Sequence, residues 1–105
     1  MRFRLTLRKL LIGILDFDGK EWVFSYSDQF RSQPKLRTLA QFPKIEGTYK
    51  ASKLWPFFSL RIPGLKQPEI IKIMASEGID PTDEAKLLAR FGKRCIKDPF
   101  ILTKD

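Results

Sequence analysis

The chain has 105 residues, of which 43% are hydrophobic, and it carries a formal net charge of +8. This composition is typical of one globular domain over residues 1–105, without repeats or low-complexity runs. The chain has no histidine and one cysteine, Cys95, which excludes an internal disulfide, a zinc site and a Ser-His-Asp type of triad. No Walker A or Gly-rich nucleotide loop is present, so we expect no catalysis, no metal and no cofactor.

The net charge favours an acidic partner: nucleic acid, an acidic protein surface or an anionic membrane. However, the basic residues are spread along the chain and accompany no helix-turn-helix, zinc-finger or RNA-binding signature. The apolar run at residues 10–15 is too short for a membrane helix or a typical secretory signal, and no small-residue cleavage site follows it. We therefore expect a cytoplasmic protein with no membrane partner.

The first third of the chain predicts β-strands. Residues 9–17 are mostly apolar with two β-branched positions, and residues 22–26 alternate aromatic with smaller side chains. The turn-forming residues 16–20 join these two strands into a predicted β-hairpin, although their Asp-Phe-Asp-Gly superficially resembles a kinase motif. Gly13 inside a strand indicates a bulge or a close approach of two backbones.

The middle of the chain predicts little regular structure. Residues 28–32 form a predicted short helix, capped by Ser27 or Asp28. Residues 34–43 are expected to be extended, and residues 47–49 are expected to form a loop.

Three helices and a strand are predicted in the second half. The first helix starts at Ser52 and ends at Gly64; the second has Pro68 in its first turn and Gly78 at its end. A third covers residues 80–92 and precedes a final strand that pairs back into the sheet. This order predicts an α+β fold, with a mainly antiparallel sheet built from the N-terminal hairpin and the C-terminal strand, packed against about three short helices.

The densest aromatic segment, residues 54–64, contains Trp55, Phe57 and Phe58. One core-facing helix stripe buries positions three and four apart, so these three rings cannot all lie on one stripe. We expect at least one ring to point away from the core, toward water or a partner. The alternative is that all three rings are core residues of a small domain.

Several segments, taken in order, resemble the first N-terminal subdomain of HipA-type toxin kinases. The resemblance covers residues 9–103 and is carried by residues 12–15, 22–26 with Phe30, 39–43, 56–58 and 87–92. Those kinases continue into a large part with the ATP site and catalytic residues, which this sequence lacks. A free-standing subdomain is similar to the HipS antitoxins of tripartite HipBST toxin–antitoxin modules, in which the HipT kinase lacks this subdomain and HipB binds DNA.

The resemblance implies an antitoxin that binds and inhibits a HipT- or HipA-type serine/threonine kinase. The partners that it implies are this kinase and, in a ternary complex, a HipB-type DNA-binding protein. After the Phe pair, residues 59–66 lack the acidic residue usual before the glycine in the kinases and carry bases instead. This departure fits a surface adapted to bind in trans. The expected partner-binding residues are Lys53, Trp55, Phe57, Phe58, Arg61, Ile62 and Pro63.

Within this set, we expect Trp55 to anchor the segment at or beside the kinase cleft, with Phe57 or Phe58 fixing it to its own core. Arg61 and Lys53 would meet carboxylates of the kinase. The alternatives are a basic nucleic-acid-binding module, an accessory subunit assisting a complex of the kinase with its DNA-binding protein, and a subdomain that activates its kinase.

Overall fold

The structure, a computed structural model, describes residues 1–33 and 35–105. Within these residues the strands are β1 Arg2–Leu7, β2 Leu10–Phe17, β3 Trp22–Tyr26, β4 Tyr49–Ala51 and β5 Ile101–Lys104. The helices are α1 Asp28–Arg31, α2 Pro56–Ser59, α3 Pro68–Glu77 and α4 Glu84–Phe91. The five described strands form one antiparallel sheet in the order β4-β3-β2-β1-β5. The predicted α+β class with an antiparallel sheet is confirmed, including the return of the C-terminal strand to pair with β1.

Gly13 marks an irregularity in the pairing of β1 with β2. The register shifts between Leu5 and Thr6, which lie opposite Gly13 and Leu11. A Cβ atom on Gly13 would lie 2.6 Å from the backbone oxygen of Ser25 on β3. Both the bulge and the close approach predicted from this glycine are therefore present.

The turn between β2 and β3 is held by its aspartate. Asp18 Oδ1 accepts hydrogen bonds from the backbone N–H groups of Lys20 and Glu21, at 2.8 and 2.7 Å. These bonds favour the ionised carboxylate and hold the pKa of Asp18 below its usual value. Gly19 adopts a positive φ of 100°, which glycine reaches at low cost. The predicted hairpin turn is confirmed, and the kinase-like tetrapeptide lies partly in β2 and partly in this turn.

The sheet has an edge strand that the sequence did not indicate. Residues 47–49 were expected to form a loop, but Tyr49 begins β4, in which Ala51 lies opposite Trp22 of β3. A three-residue strand is too short to show a clear alternation of apolar and polar positions. Pro34, the first residue of the predicted extended segment, lies outside the described residues. Beyond it, residues 35–43 contain no helix or strand.

The helix ends of α1 and α3 were predicted well: Ser27 caps α1, and Gly78 ends α3 with a left-handed φ of 66°. The third predicted helix, expected from residue 80, begins only at Glu84, because Asp83 is its N-cap. Similarly, α2 does not run from Ser52 to Gly64. Its N-cap is Trp55 and it closes after Ser59, because Pro56 fixes the first helical turn and only single tight turns follow. Among the described helices, none is long and apolar enough to cross a bilayer.

One face of the sheet carries the core. Its buried side chains come from alternate positions of the strands, from the segment before β4, from α2 and from α4. They include Phe3, Leu5, Ile12, Leu15, Trp22, Phe24, Tyr26, Phe42, Phe58, Leu88 and Leu102. Tyr26 donates a hydrogen bond of 2.6 Å to the Phe42 carbonyl and accepts one of 2.9 Å from the Leu39 N–H. This hydroxyl therefore fixes residues 39–42 over the sheet, where they support α2.

Candidate partner-binding surface

The start of the short helix α2 is fixed by its backbone conformation and by one hydrogen bond. Trp55 is extended, with φ −64° and ψ 147°, and Pro56 follows at the first helical position. The backbone N–H of Phe57 donates to Gln41 Oε1 at 3.1 Å, which ties the start of the helix to the segment before β4. The orientation of α2 is thus set by local backbone chemistry and by one contact distant in the sequence.

The three rings of this segment have different environments. Phe58 has no exposed surface and lies with its ring centroid 5.7 Å from Phe24 and 6.0 Å from Phe42. Trp55 is half-buried and packs edge-on against Phe42 at 4.9 Å. Phe57 is also half-buried, and its ring contacts Phe58 at 5.0 Å and Phe100 at 5.8 Å. Phe58 is thus the core ring, while Trp55 and Phe57 each keep part of their surface accessible at the rim.

Arg61 does not lie on the accessible surface, contrary to the expectation that it would meet carboxylates of a partner. Its residue surface is 4% exposed, and its Nη2 lies 2.7 Å from Asp98 Oδ1 of its own chain. Its Nη1 donates to the backbone carbonyls of Gly92, Lys93 and Phe100, at 3.3 to 3.4 Å. The charge of Arg61 is therefore compensated inside the domain.

The bonds of Arg61 organise the loop between α4 and β5. Asp98 Oδ1 also accepts from the backbone N–H of Phe100 at 3.0 Å, so one carboxylate binds both the guanidinium and the loop backbone. The guanidinium lies 5.5 Å from the centroid of the Phe57 ring. Within the described part of the chain its Nε has no hydrogen-bond partner. Arg61 is thus an internal brace that fixes residues 92–100 against α2.

The other predicted residues remain near the surface. Lys53 is exposed, directly before the buried Leu54, and Ile62 and Pro63 are half-buried after the last turn of α2. The structure thus leaves five of the predicted positions at least partly accessible and buries two. The accessible ones are Lys53, Trp55, Phe57, Ile62 and Pro63, and the buried ones are Phe58 and Arg61.

Two exposed aliphatic residues beside α2 were missed by the sequence analysis. Leu60 is 58% exposed and Ile96 is 105% exposed. They border a hollow of about 300 Å³ that is also lined by Arg61, Arg94, Cys95 and Lys97. We call this hollow the Leu60–Ile96 groove. The only sequence signal for it was an isoleucine within the otherwise polar segment at residues 93–98.

A second hollow of about 330 Å³ adjoins the groove on the side of the segment before β4. It shares Leu60, Cys95 and Lys97 with the groove, and its other lining residues are Leu39, Ala40, Gln41, Phe57 and Asp98. Phe57, predicted to contact a partner, therefore lines a concave surface together with residues from two other parts of the chain. Its lining is mainly apolar, with Gln41, Lys97 and Asp98 as the polar members, which is typical of a binding surface.

The fold is thus a small α+β domain with an apolar and basic concave surface beside its second helix. Comparison with protein families matches residues 4–96 to the HipA N-terminal domain. The chain belongs to this family, since the match extends from β1 through α4 to the exposed Ile96. No curated protein matches the chain. The predicted relation to the N-terminal part of HipA-type kinases is confirmed, and the finer relation to HipS antitoxins stays a prediction.

Proposed function

We propose that this protein is an antitoxin that binds and inhibits a HipT- or HipA-type serine/threonine kinase. The observation that carries the proposal is the match of residues 4–96 to the HipA N-terminal domain, a domain named for these kinases. The protein would act by binding alone, without catalysis of its own. The contact surface would be residues 55–64 together with the loop that Arg61 holds beside them.

Trp55 is the proposed anchor of this contact. Its indole is half-buried against Phe42, so its position is set before binding while part of its surface stays accessible. A prepositioned aromatic side chain loses little conformational entropy on binding, and tryptophan is enriched among interface hot spots. Burying the rest of this indole in the partner could supply about 2 kcal/mol or more. Phe58, fully buried, holds the segment in place.

Inhibition needs only that the segment occupies the kinase cleft or its entrance. The exposed Lys53 directly before α2 adds a positive charge beside the proposed anchor. This base suits the carboxylates that hold magnesium or position the substrate in a phosphoryl-transfer site. Arg61 contributes indirectly, since its charge is used to hold the loop.

Coexpression of the full chain with the kinase from its own genome tests whether the chain inhibits or activates the kinase. Rescue of growth, together with loss of kinase autophosphorylation in the purified mixture, is the expected result. Unchanged toxicity would contradict the antitoxin proposal, and stronger toxicity would in addition favour an activating subdomain. Trp55→Ala should abolish the rescue. The control is Phe91→Ala, which truncates a half-buried aromatic residue at the end of α4, and it should leave the rescue of growth intact.

The net charge of +8 is the observation that favours the rival function, nucleic-acid binding. A gel-shift titration of the isolated chain at two salt concentrations separates the two. Tight, steeply salt-dependent DNA binding without affinity for the kinase would support the rival, because phosphate contacts release counterions. A HipB-type protein added to the kinase complex would show whether the chain enters a ternary assembly on DNA.

A further inference from the structure

The Leu60–Ile96 groove brings two exposed aliphatic side chains together at one concave surface. Ile96 is fully exposed and Leu60 is more than half exposed, and both border one hollow. Single exposed apolar residues are common, but two that converge on a concave surface are typical of an interaction site. The hollow that adjoins the groove at Phe57 extends this apolar lining.

The charge around the groove has one sign. Arg94 and Lys97 line it and are exposed, and Lys93 next to them is exposed as well. The acidic residue of the loop is Asp98, and its carboxylate is engaged by Arg61 at 2.7 Å. A ligand in this groove therefore meets aliphatic side chains between positive charges that no acidic residue of the groove lining compensates.

The groove is also formed before any ligand arrives. The backbone of Lys93 accepts from Leu102 N at 2.9 Å, and Cys95 and Asp98 form a β-bridge across the loop. Arg61 adds its bonds to three carbonyls and to Asp98. A loop held in this way has little conformational freedom left to lose, which favours binding.

We propose that the Leu60–Ile96 groove binds an extended acidic segment of the partner protein, with apolar side chains that enter the two hollows and carboxylates that face Arg94 and Lys97. This rests on the proposed function, because it takes the kinase as the partner. The positive charges of Arg94 and Lys97 favour a ligand that carries carboxylates. The aliphatic side chains of Leu60 and Ile96 favour a protein ligand, which can supply apolar side chains as well. Single-stranded nucleic acid is commonly bound by stacking its bases on aromatic rings, which Leu60 and Ile96 do not offer.

The test measures the dissociation constant of the full chain with the purified kinase for two pairs of variants. Leu60→Asp and Ile96→Asp should each weaken binding about tenfold or more, because each places a carboxylate in the apolar part of an acidic contact. The control is Ile71→Asp on α3, an exposed isoleucine away from the groove at 49% exposure. It should change the constant by less than about twofold.

The charge requirement has its own pair of double variants. Arg94→Glu with Lys97→Glu should weaken binding about tenfold or more and reduce its salt dependence. Lys50→Glu with Lys72→Glu makes the same change in net charge at exposed positions outside the groove and should have a much smaller effect. Circular dichroism and thermal melting verify that each variant is folded, which is expected since the side chains replaced are exposed.

The outcomes separate the two proposals. If the wild-type chain does not bind the kinase, the proposed function is overturned, and the groove loses its stated partner with it. If the wild type binds and the groove variants bind equally well, the groove proposal alone is overturned. If the groove variants keep kinase binding but lose binding to a labelled DNA duplex, the groove is a nucleic-acid site and the proposal is again wrong.

Discussion

Arg61 Nη2 lies 2.7 Å from Asp98 Oδ1, and the side chain of Arg61 has no exposed surface. This ion pair joins the end of α2 to the loop that precedes β5. The base of the segment after the Phe pair therefore serves the interior of the domain. Its effect on the surface is indirect, because it holds the loop that carries Ile96 and Lys97 in place beside α2.

The first prediction concerns this pair. Asp98→Ala should lower the free energy of unfolding by about 3 kcal/mol, because it leaves a buried guanidinium without its carboxylate. Urea denaturation measures the loss. Arg61→Met combined with Asp98→Ala should be less destabilising than Asp98→Ala alone, since no unpaired charge then remains inside.

The exposed pair Arg90–Glu77 is the matched control, with an Nε to Oε1 distance of 2.9 Å and both side chains 42% exposed. Glu77→Ala should cost less than about 1 kcal/mol, because water screens an exposed pair. Equal losses for Asp98→Ala and Glu77→Ala would contradict the internal role assigned to Arg61.

The second prediction separates the two kinds of aromatic residue in the 55–64 segment. Phe58→Ala should cost about 3 to 5 kcal/mol in stability, because the ring is fully buried among Phe24 and Phe42. Trp55→Ala should cost less, since the indole is only half-buried. Thermal melting with a kinase-binding assay checks both. A Trp55→Ala protein that unfolds as readily as Phe58→Ala would show that this indole is a core residue rather than an anchor.

The third prediction concerns the close approach at Gly13. Gly13→Ala should destabilise the protein by about 1 to 3 kcal/mol, because the added Cβ would lie 2.6 Å from the Ser25 oxygen and 2.7 Å from the Phe24 ring. At Gly64 the nearest atom is the side-chain amide nitrogen of Gln67 at 3.1 Å, which can move. Gly64→Ala should therefore change stability by less than about 0.5 kcal/mol in the same chemical denaturation experiment.

The fourth prediction concerns the Tyr26 hydroxyl. Tyr26→Phe should cost about 1 to 3 kcal/mol, because the Phe42 carbonyl and the Leu39 N–H lose their buried partner. Tyr49→Phe is the control, since its hydroxyl also bonds one N–H and one carbonyl, both of Lys44, but at an exposed site. A smaller loss is expected there, and equal losses would contradict the role of burial.

Tyr26 also predicts a dependence on pH. Burial raises its pKa above the ordinary value of 10.0, so the folded state favours the neutral phenol. The stability due to Tyr26 is full below the unfolded pKa and is lost as the pH rises through the folded pKa. Unfolding measured from pH 8 to 11 should therefore show the advantage of the wild type over Tyr26→Phe narrowing at about pH 10 and above. A constant difference would argue against this titration.

Local signals in the sequence were sufficient for much of the fold. The alternation at residues 22–26, the turn residues around Gly19 and the glycine at the end of α3 each act over a few neighbouring positions. The strand β4 was not predicted, because three residues show no periodicity and its partner strand β3 is distant in the sequence. The end of α2 was predicted wrongly, because tight turns replace the helix after Ser59, before Gly64 is reached.

The candidate site was only partly predictable for the same reason. The sequence by itself determined that residues 54–64 are unusually aromatic and that three such rings could not share one helical stripe. Only the tertiary structure decided that Phe58 lies in the core, that Arg61 is neutralised by Asp98, and that Leu60 meets Ile96 at a groove. Burial and pairing depend on residues brought together from more than thirty positions away, and no local pattern encodes which distant group a side chain will meet.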